Sequence, residues 1–553
     1  MRRYSKALLG PLAVFLGGLF LFASTLAPSV VFGDPSEYTF VPFVWGVLHP
    51  PGYAFQTLLT KLWQTLIPIG TIVYRTNLLS AVVGAATLAL VFGAVSRITY
   101  RVEQSATPRG RFAVCNLQSA IFSAASLASA SDFWQHAIHA NAHIVTATLA
   151  ALSLFCLLRW RASENDRWLY AFAFVAGLSV THHPLLVFSF PAYAVFVLAV
   201  WLSHRAVSSV ERGVPRANNR RSIFSGLRLL TSGVQPLTAH FPRLILFFAL
   251  GLTPWLYFPI RSSLAPPPVI GPHDMNTLDG FLNLVLARGL TGVNLFHFGL
   301  NQQWQRAIVF WSILRLQFPL PLIALIPLGL VWLWRRDWRT AMLFTLFLTI
   351  NVLFIFNSVQ DVMAYFLVPL AGLAMMAGVG AEAVLRIASR LVRGGWRVER
   401  GAWLLLVLPL ATLIHNYPRI SLRENRAADQ FVDSLFARFE GKGEHAILLS
   451  DWEHLTPLWY REYVGGRSVV PADLTPVFVS GGANPWVENI WAHIEDGPVY
   501  VVEYQPQIVA KGFRLRADGT LYRVLPPPAT DLPVILHPLS LIASETQPSI
   551  CNL

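Results

Sequence analysis

Two carboxylates and a histidine, at a spacing suited to acid–base chemistry, follow the first apolar stretch of the chain. Gly33-Asp34-Pro35-Ser36-Glu37 places Asp34 and Glu37 three residues apart, which puts both side chains on one face if the segment is helical. His49 follows in Leu48-His49-Pro50-Pro51-Gly52-Tyr53. Charge at the mouth of an apolar segment is costly, so we predict that these groups take part in chemistry.

Transfer of a group from a lipid phosphate to a hydroxyl needs a carboxylate that orients or deprotonates the acceptor. Asp34 is the best candidate for this base, and Glu37 is expected to assist it or to face solvent. An alternative interpretation makes Asp34 the N-cap of a helix that starts at Pro35, because Asp-Pro is a favourable pair at a helix start. The two interpretations are compatible.

The departing phosphate needs cations or hydrogen-bond donors. Arg261 ends an apolar stretch in Tyr257-Phe258-Pro259-Ile260-Arg261, and its guanidinium can hold two phosphate oxygens. Anchoring of Arg261 in the lipid headgroups is an equally weighted alternative. Arg75 is a second, weaker candidate.

Three histidines are further candidates for contact with the phosphate. His182 and His183 fall between two apolar stretches with almost no loop, which predicts both rings at the outer surface. His49, before two prolines, is expected to fix a turn or to touch the phosphate. Adjacent side chains diverge and no strong metal spacing occurs, so no cofactor is expected, and a metal is the possible but less favoured alternative. Its further ligands would have to come from Asp34, Glu37, His49, His139 or His143.

A third group of residues is predicted to line an acceptor cavity. These residues lie in outer segments between apolar stretches, and Trp134 has the alternative role of an interface anchor. The candidates are Trp134, Asn141, His143, Asp361 and Tyr365.

The elements that position these residues are predicted to be membrane helices. The chain of 553 residues is 54% hydrophobic and 13% charged, which excludes an ordinary soluble enzyme. A span needs about 20 apolar residues. We predict eleven spans, near 8–32, 77–96, 113–131, 142–159, 168–182, 184–203, 243–260, 316–334, 340–357, 363–385 and 402–416.

Basic residues define the predicted orientation. With the amino terminus inside, the inner segments hold 25 lysines and arginines, whereas the outer segments before residue 417 hold 6. A multi-pass plasma-membrane protein with a cytoplasmic amino terminus is therefore expected. The net charge of +13 follows from this asymmetry, so nucleic-acid binding is not expected. A cleavable signal peptide is the alternative for the first span.

The chain divides into three parts. Residues 1–416 are the predicted membrane domain, with long outer loops at 33–75 and 261–315. Residues 417–528 combine a predicted helix at Arg423-Phe439 with short β-type runs separated by turns, the first of them at 446–450. This pattern predicts a small extracytoplasmic α/β or α+β domain. Residues 529–553 are a predicted tail.

Several motifs resemble those of a bacterial membrane-protein family related to the eukaryotic transmembrane O-mannosyltransferase that acts on plexin-type receptors. They extend over about residues 30–385. The matching segments are Gly33-Asp34-x-Ser36-Glu37, Gly46-Val47-Leu48-His49-Pro50-Pro51-Gly52-Tyr53, Arg75-Thr76-Asn77-Leu78-Leu79-Ser80, Gly177-Leu178-Ser179-Val180-Thr181-His182-His183, Tyr257-Phe258-Pro259-Ile260-Arg261-Ser262 and Asp361-Val362-x-x-Tyr365-Phe366.

The resemblance implies a GT-C glycosyltransferase fold and a polyprenyl-phosphate sugar donor. It also implies an inverting displacement on the outer face of the membrane. The chain departs from the family pattern at Asn141-Ala142-His143, where relatives carry Glu-x-Tyr, and at Pro35, where a small residue is usual.

The expected activity is transfer of a sugar, with mannose favoured, to a protein hydroxyl or a glycolipid. The alternative is a lipid or glycan transporter or flippase without transferase activity. A transporter predicts charged residues deep within the spans and helices broken at the midplane. Here the polar candidates cluster at the outer boundary instead, which favours the transferase.

Overall fold

The computed structural model describes residues 2–104, 113–211, 235–288, 298–358, 362–391, 401–442, 444–465, 471, 473–480 and 482–527. Helices dominate the chain up to Phe439, and a small sheet follows. The predicted tail, residues 529–553, lies outside the described residues.

The α-helices are numbered here in chain order. They are α1 (Arg2–Ser24), α2 (Asp34–Phe43), α3 (Ala54–Leu66), α4 (Ile72–Gln104), α5 (Ala113–Ser129), α6 (Ser131–Ala137), α7 (Ala142–Ser163), α8 (Arg167–His182), α9 (Phe190–Glu211), α10 (Gln235–Gly251), α11 (Tyr257–Ser263), α12 (Leu278–Val285), α13 (Gln303–Gln317), α14 (Leu320–Arg336), α15 (Trp338–Phe356), α16 (Val362–Leu391), α17 (Val407–Ile420), α18 (Ala427–Phe439), α19 (Trp452–Gly465), α20 (Pro485–His493) and α21 (Pro506–Ala510). Short 3₁₀ turns span Pro184–Ser189, Thr253–Leu256, Leu300–Gln302 and Ala402–Leu406.

Each of the eleven predicted spans overlaps a helix. Among the described residues, five helices are long and apolar enough to cross a membrane, and the number rises to seven if each of two bent pairs counts as one span. One of these pairs, Leu300–Gln317 with Leu320–Arg336, bends by 109°. The segment Leu9–Ser24 of α1 is a shorter apolar helix.

Residues 33–75, called the first outer loop after their predicted position, contain two helices, α2 and α3, that pack on the ends of the membrane helices. Gln64 of α3 donates hydrogen bonds to Thr39 O and to Thr76 Oγ1, which ties α2, α3 and α4 together. Asn77 at the start of α4 donates to Ala27 O and accepts from Ala140 N. These bonds hold the loop that carries Asp34 and Glu37 in one position.

The carboxyl-terminal sheet has five strands in the order β2-β1-β3-β5-β4. The strands are β1 (Ala446–Ser450), β2 (Leu474–Phe478), β3 (Val499–Val501), β4 (Arg514–Asp518) and β5 (Leu521–Leu525). Strand β1 is parallel to β2 and β3, and β5 is antiparallel to β3 and β4. The sheet is therefore mixed and has helices between its strands, as the α/β or α+β prediction expects.

The two faces of the sheet have different neighbours. Ile447 and Leu449 on one face pack with Ile490 of α20 and Ile508 of α21. The opposite face joins a second core that includes helices α18 and α19 and the first outer loop. That core contains Leu448, Tyr500, Leu435 and Leu455 together with Tyr38, Phe40, Leu48 and Tyr53. The carboxyl-terminal domain thus shares a hydrophobic core with the segment that carries the candidate residues.

Candidate active site

Helix α2 begins at Asp34, and its geometry depends on Gly33. Gly33 is the N-cap residue with φ 76°, a left-handed conformation that favours glycine. A Cβ on Gly33 would also collide with the Glu453 carboxylate of α19. Because Gly33 occupies the cap, Asp34 takes the first helical position, and the N-cap interpretation of Asp34 is wrong.

Glu37 is fully buried and holds His49 by two bonds. Its Oε1 accepts from the His49 backbone N–H at 2.8 Å, and its Oε2 lies 2.5 Å from His49 Nδ1. Burial raises the pKa of Glu37, and the neighbouring His49 opposes that rise. When Nδ1 carries its proton toward Glu37, Nε2 is the unprotonated nitrogen of the neutral ring.

Asp34 lies on the other side of this histidine. Its Oδ2 is 4.0 Å from His49 Nε2, and its Oδ1 accepts a 2.7 Å hydrogen bond from the indole Nε1–H of Trp452. The side chains of Asp34 and His49 remain 37% and 22% exposed. The carboxylate is therefore reachable by a substrate, whereas Glu37 is not.

Tyr53 connects this group to a cluster of histidines. Its ring centroid lies 5.4 Å from that of His49 and 5.3 Å from that of His183. It also makes edge contacts with His143 and His182. Tyr365 of α16 contacts the rings of His143 and His183 from another direction. The structure thus brings together seven residues: Asp34, Glu37, His49, His143, His182, His183 and Tyr365.

Both rings of the His182-His183 pair are buried, at 1% and 5% exposure, so the prediction of surface rings is wrong. The Tyr53 and Phe55 rings cover them from the first outer loop. His182 Nε2 lies 2.9 Å from Ala142 O, which leaves its Nδ1 without a hydrogen-bond partner among the described residues. His183 Nδ1 accepts from Leu185 N, so its Nε2 carries the proton in the neutral ring.

The two candidate arginines donate hydrogen bonds to backbone carbonyls of neighbouring loops. Arg261 donates from Nε to Trp45 O and from Nη1 to Pro266 O, each at 2.8 Å. Arg75 donates to Gln64 O at 3.0 Å and to Gly70 O at 3.1 Å. These bonds brace the outer loops, and they do not connect either guanidinium to the Asp34 group.

The remaining cavity candidates are also used within the fold. Trp134 is fully buried and donates to Thr25 Oγ1 at 2.9 Å. It is therefore a core residue and not an interface anchor. Asn141 is the N-cap of α7, with its side chain accepting from His143 N and Ile144 N. Asp361 lies outside the described residues.

The geometry of this cluster could hold a divalent cation. One ligand atom each from Asp34, Glu37 and His49 lies within 4.8 Å of the others, and two carboxylates with an imidazole form a suitable donor set. The Glu37–His49 hydrogen bond already satisfies one atom of each partner without an ion.

Two residues of the site were not singled out from the sequence. Tyr53 ends the Leu48–Tyr53 motif, and its left-handed backbone (φ 44°) turns its ring toward the histidines. Trp452 is separated from Asp34 by 418 positions, and nothing in the sequence near either residue signals their contact.

Comparison with known proteins relates part of the amino-terminal region to a described family. Residues 34–205 match the family described as Protein O-mannosyl-transferase TMEM260 N-terminal domain. Protein O-mannosyl-transferase TMEM260 of Mus musculus is 30% identical over 284 residues, which cover 50% of this chain and 34% of the mouse protein. The chain therefore spans about a third of the length of this relative.

The fold has solved counterparts. ArnT from Cupriavidus metallidurans, in crystal structures bound to undecaprenyl phosphate and in the apo state, superimposes with a TM-score of 0.53 at 11% identity. The superposition covers 93% of this chain and 97% of ArnT. The resemblance drawn from the motifs is thereby confirmed for residues 34–205, which match the TMEM260 N-terminal domain, and the chain shares its fold with ArnT.

Proposed function

We propose that this protein is a membrane glycosyltransferase that moves a sugar, expected to be mannose, from a polyprenyl-phosphate donor to an acceptor hydroxyl. The observation that carries the proposal is the partly exposed Asp34 carboxylate, which lies beside His49. Glu37 fixes His49 by two hydrogen bonds on the other side of the ring. The family match that begins at Asp34 supports the same reading.

Asp34 acts as the base in this proposal. The acceptor oxygen attacks the anomeric carbon, its proton passes to Asp34 Oδ2, and the bond from that carbon to the phosphate oxygen breaks. The electron pair of the broken bond leaves with the polyprenyl phosphate. Attack on the side opposite the leaving group inverts the anomeric configuration. Glu37 orients His49, whose Nε2 stands beside the same carboxylate oxygen.

The histidine cluster is the best-placed group for the departing phosphate. In the neutral ring His183 Nε2–H is a donor, because Nδ1 accepts from Leu185 N. Tyr53 contacts both His49 and His183, so the proposed donor site and the histidine beside the base share one neighbour. The crystal structure of ArnT holds undecaprenyl phosphate, which supports a lipid phosphate as the donor type.

The name of the mouse relative supports mannose as the sugar and a protein hydroxyl as the acceptor, with a glycolipid as the second choice. We further propose that the reaction proceeds on the extracytoplasmic face of the plasma membrane and needs no metal ion. The hydrogen bonds between Glu37 and His49 support the latter, because they satisfy both Glu37 oxygens and His49 Nδ1 within the protein.

Mass spectrometry of lipid that copurifies with the protein tests the donor class. We expect a polyprenyl-phosphate hexose in the wild type, and retention of this lipid in Asp34→Asn, which removes the base but not the phosphate site. His183→Ala should lose the lipid. Absence of polyprenyl lipid from the wild type, even after incubation with polyprenyl-phosphate mannose, would contradict the proposal.

A further inference from the structure

Helix α19 of the carboxyl-terminal domain begins next to Asp34, the candidate base. Trp452, its first residue, donates its indole N–H to Asp34 Oδ1 at 2.7 Å. The same indole stands edge-on to the His49 ring, with centroids 6.1 Å apart and planes at 89°. One side chain from this domain therefore touches two members of the site.

The position of Trp452 is fixed by contacts that do not involve its indole nitrogen. Gly33 N–H donates to Glu453 O at 2.9 Å, and Thr456 Oγ1 donates to Gly33 O at 2.7 Å. The ring of Trp452 also packs on Trp459 and Phe478. Removing the N–H alone should leave α2 and α19 docked.

We propose that Trp452 is a positioning residue through which the carboxyl-terminal domain completes the active site. Indole N–H is a donor only, so its partner Oδ1 is held as an acceptor. With Oδ1 fixed, the carboxylate cannot rotate freely, and Oδ2 stays directed toward His49 Nε2. Oδ2 is the atom that receives the proton of the acceptor hydroxyl. This role rests on the proposed function, in which Asp34 is the base.

A hydrogen bond to a charged group is stronger than one between neutral groups, and its loss should therefore be measurable. Trp452→Phe removes the donor and keeps a large aromatic ring. We expect its kcat for sugar transfer to fall about tenfold while KM for the donor lipid stays unchanged. If Trp452 served only to dock α19 on α2, its loss would alter KM or folding as well. An effect on kcat alone therefore indicates a positioning role.

Trp491→Phe is the matched control. Trp491 lies in α20 of the same domain, is 58% exposed and packs on Phe513, away from Asp34. It should keep wild-type kcat. A Trp452→Phe protein with the kcat of Trp491→Phe would overturn the proposal.

A double-mutant cycle adds a second criterion. In the Asp34→Asn background, Trp452→Phe should cause no further loss of kcat, because the group that the indole positions is gone. An equal loss in both backgrounds would mean that Trp452 acts elsewhere.

The same cycle on thermal unfolding midpoints needs no substrate. Here the background is Asp34→Ala, whose side chain offers no acceptor to the indole N–H. Trp452→Phe should lower the midpoint more in the wild type than in Asp34→Ala, and equal changes would refute the contact. Failure of wild-type protein to transfer any sugar would contradict the proposed function, whereas the midpoint cycle decides the Trp452–Asp34 coupling separately.

Discussion

The carboxylates of the site have different environments, although they are three residues apart on one helix. Asp34 is reachable and bonded on one oxygen, while Glu37 is buried and bonded on both. The spacing in the sequence predicted that both side chains would lie on one face of a helix. It could not predict which would be buried, because that depends on Trp452 and on the shared core.

Asp34→Asn should lower turnover by about 10²-fold or more, the scale expected for loss of a general base. The amide can still accept from Trp452, so folding and donor binding should persist. Transfer kinetics and lipid retention would be measured together, with the exposed Asp496→Asn as control. Near-normal turnover in a folded Asp34→Asn protein would remove Asp34 from the mechanism.

Glu37→Gln should separate stability from activity. Burial raises the pKa of Glu37 above its ordinary value, so between the unfolded and folded pKa values the native state binds more protons than the unfolded state. The contribution of this carboxyl to stability therefore falls as pH rises through that window. Glutamine lacks this penalty but does not hold His49 as a carboxylate does.

We therefore expect the stability of Glu37→Gln relative to the wild type to increase as pH rises above about 4.5, while turnover falls about tenfold. Unfolding midpoints across pH and transfer rates would check both. The exposed Glu440→Gln should change neither quantity. A stability difference independent of pH would contradict the assigned burial effect.

At the scale of elements, strong periodic or apolar segments were predictable and α19 was not. The strand predicted at 446–450 has those bounds, and the helix predicted at Arg423-Phe439 begins later, at Ala427. Helix α19 has Pro457 in its interior and a mixed polar pattern, which obscure a helix in sequence. Its stability comes from packing on α2 and from its cap, Asp451, neither of which a local pattern reveals.

Asp451 supports the start of α19 in two ways. Its Oδ1 accepts from His454 N at 3.0 Å as an N-cap and lies 2.8 Å from His454 Nδ1. This hydrogen bond raises the pKa of His454 above 6.5. A histidine with a raised folded pKa contributes stability that is fully present below the unfolded pKa and is lost as pH rises through the folded pKa.

Asp451→Asn keeps a good N-cap residue and removes the charge. We expect it to lower the unfolding midpoint clearly at about pH 6 and little at about pH 9. Asp433→Asn, an exposed residue of the neighbouring helix α18, serves as control. An equal midpoint change at both pH values would show that the cap, and not the charged pair, accounts for the effect.

At the scale of the whole molecule, composition and long apolar segments predicted the membrane helices, and short β-type runs predicted the sheet that follows them. The joining of the two could not be predicted. Tyr38 and Phe40 of the first outer loop share a core with Leu448 and Tyr500 of the sheet. Contacts between segments about 400 residues apart leave no mark in local patterns, so the site was only partly visible in the sequence.

The orientation predicted from the basic residues has a direct test. In a protein whose three cysteines are replaced by serine, Ser480→Cys in the carboxyl-terminal domain and Ser163→Cys at the end of α7 would each offer one exposed thiol. A membrane-impermeant thiol reagent on intact cells should label the first and not the second. The reverse pattern would move the chemistry to the cytoplasmic face.

The most direct test of the central claim is transfer itself, measured with purified protein, labelled polyprenyl-phosphate mannose and a hydroxyl-bearing peptide acceptor. The account predicts labelled product with the anomeric configuration opposite to that of the donor, formed by wild type and reduced about 10²-fold in Asp34→Asn. Product of retained configuration, or equal transfer by wild type and Asp34→Asn, would contradict a single displacement with Asp34 as its base.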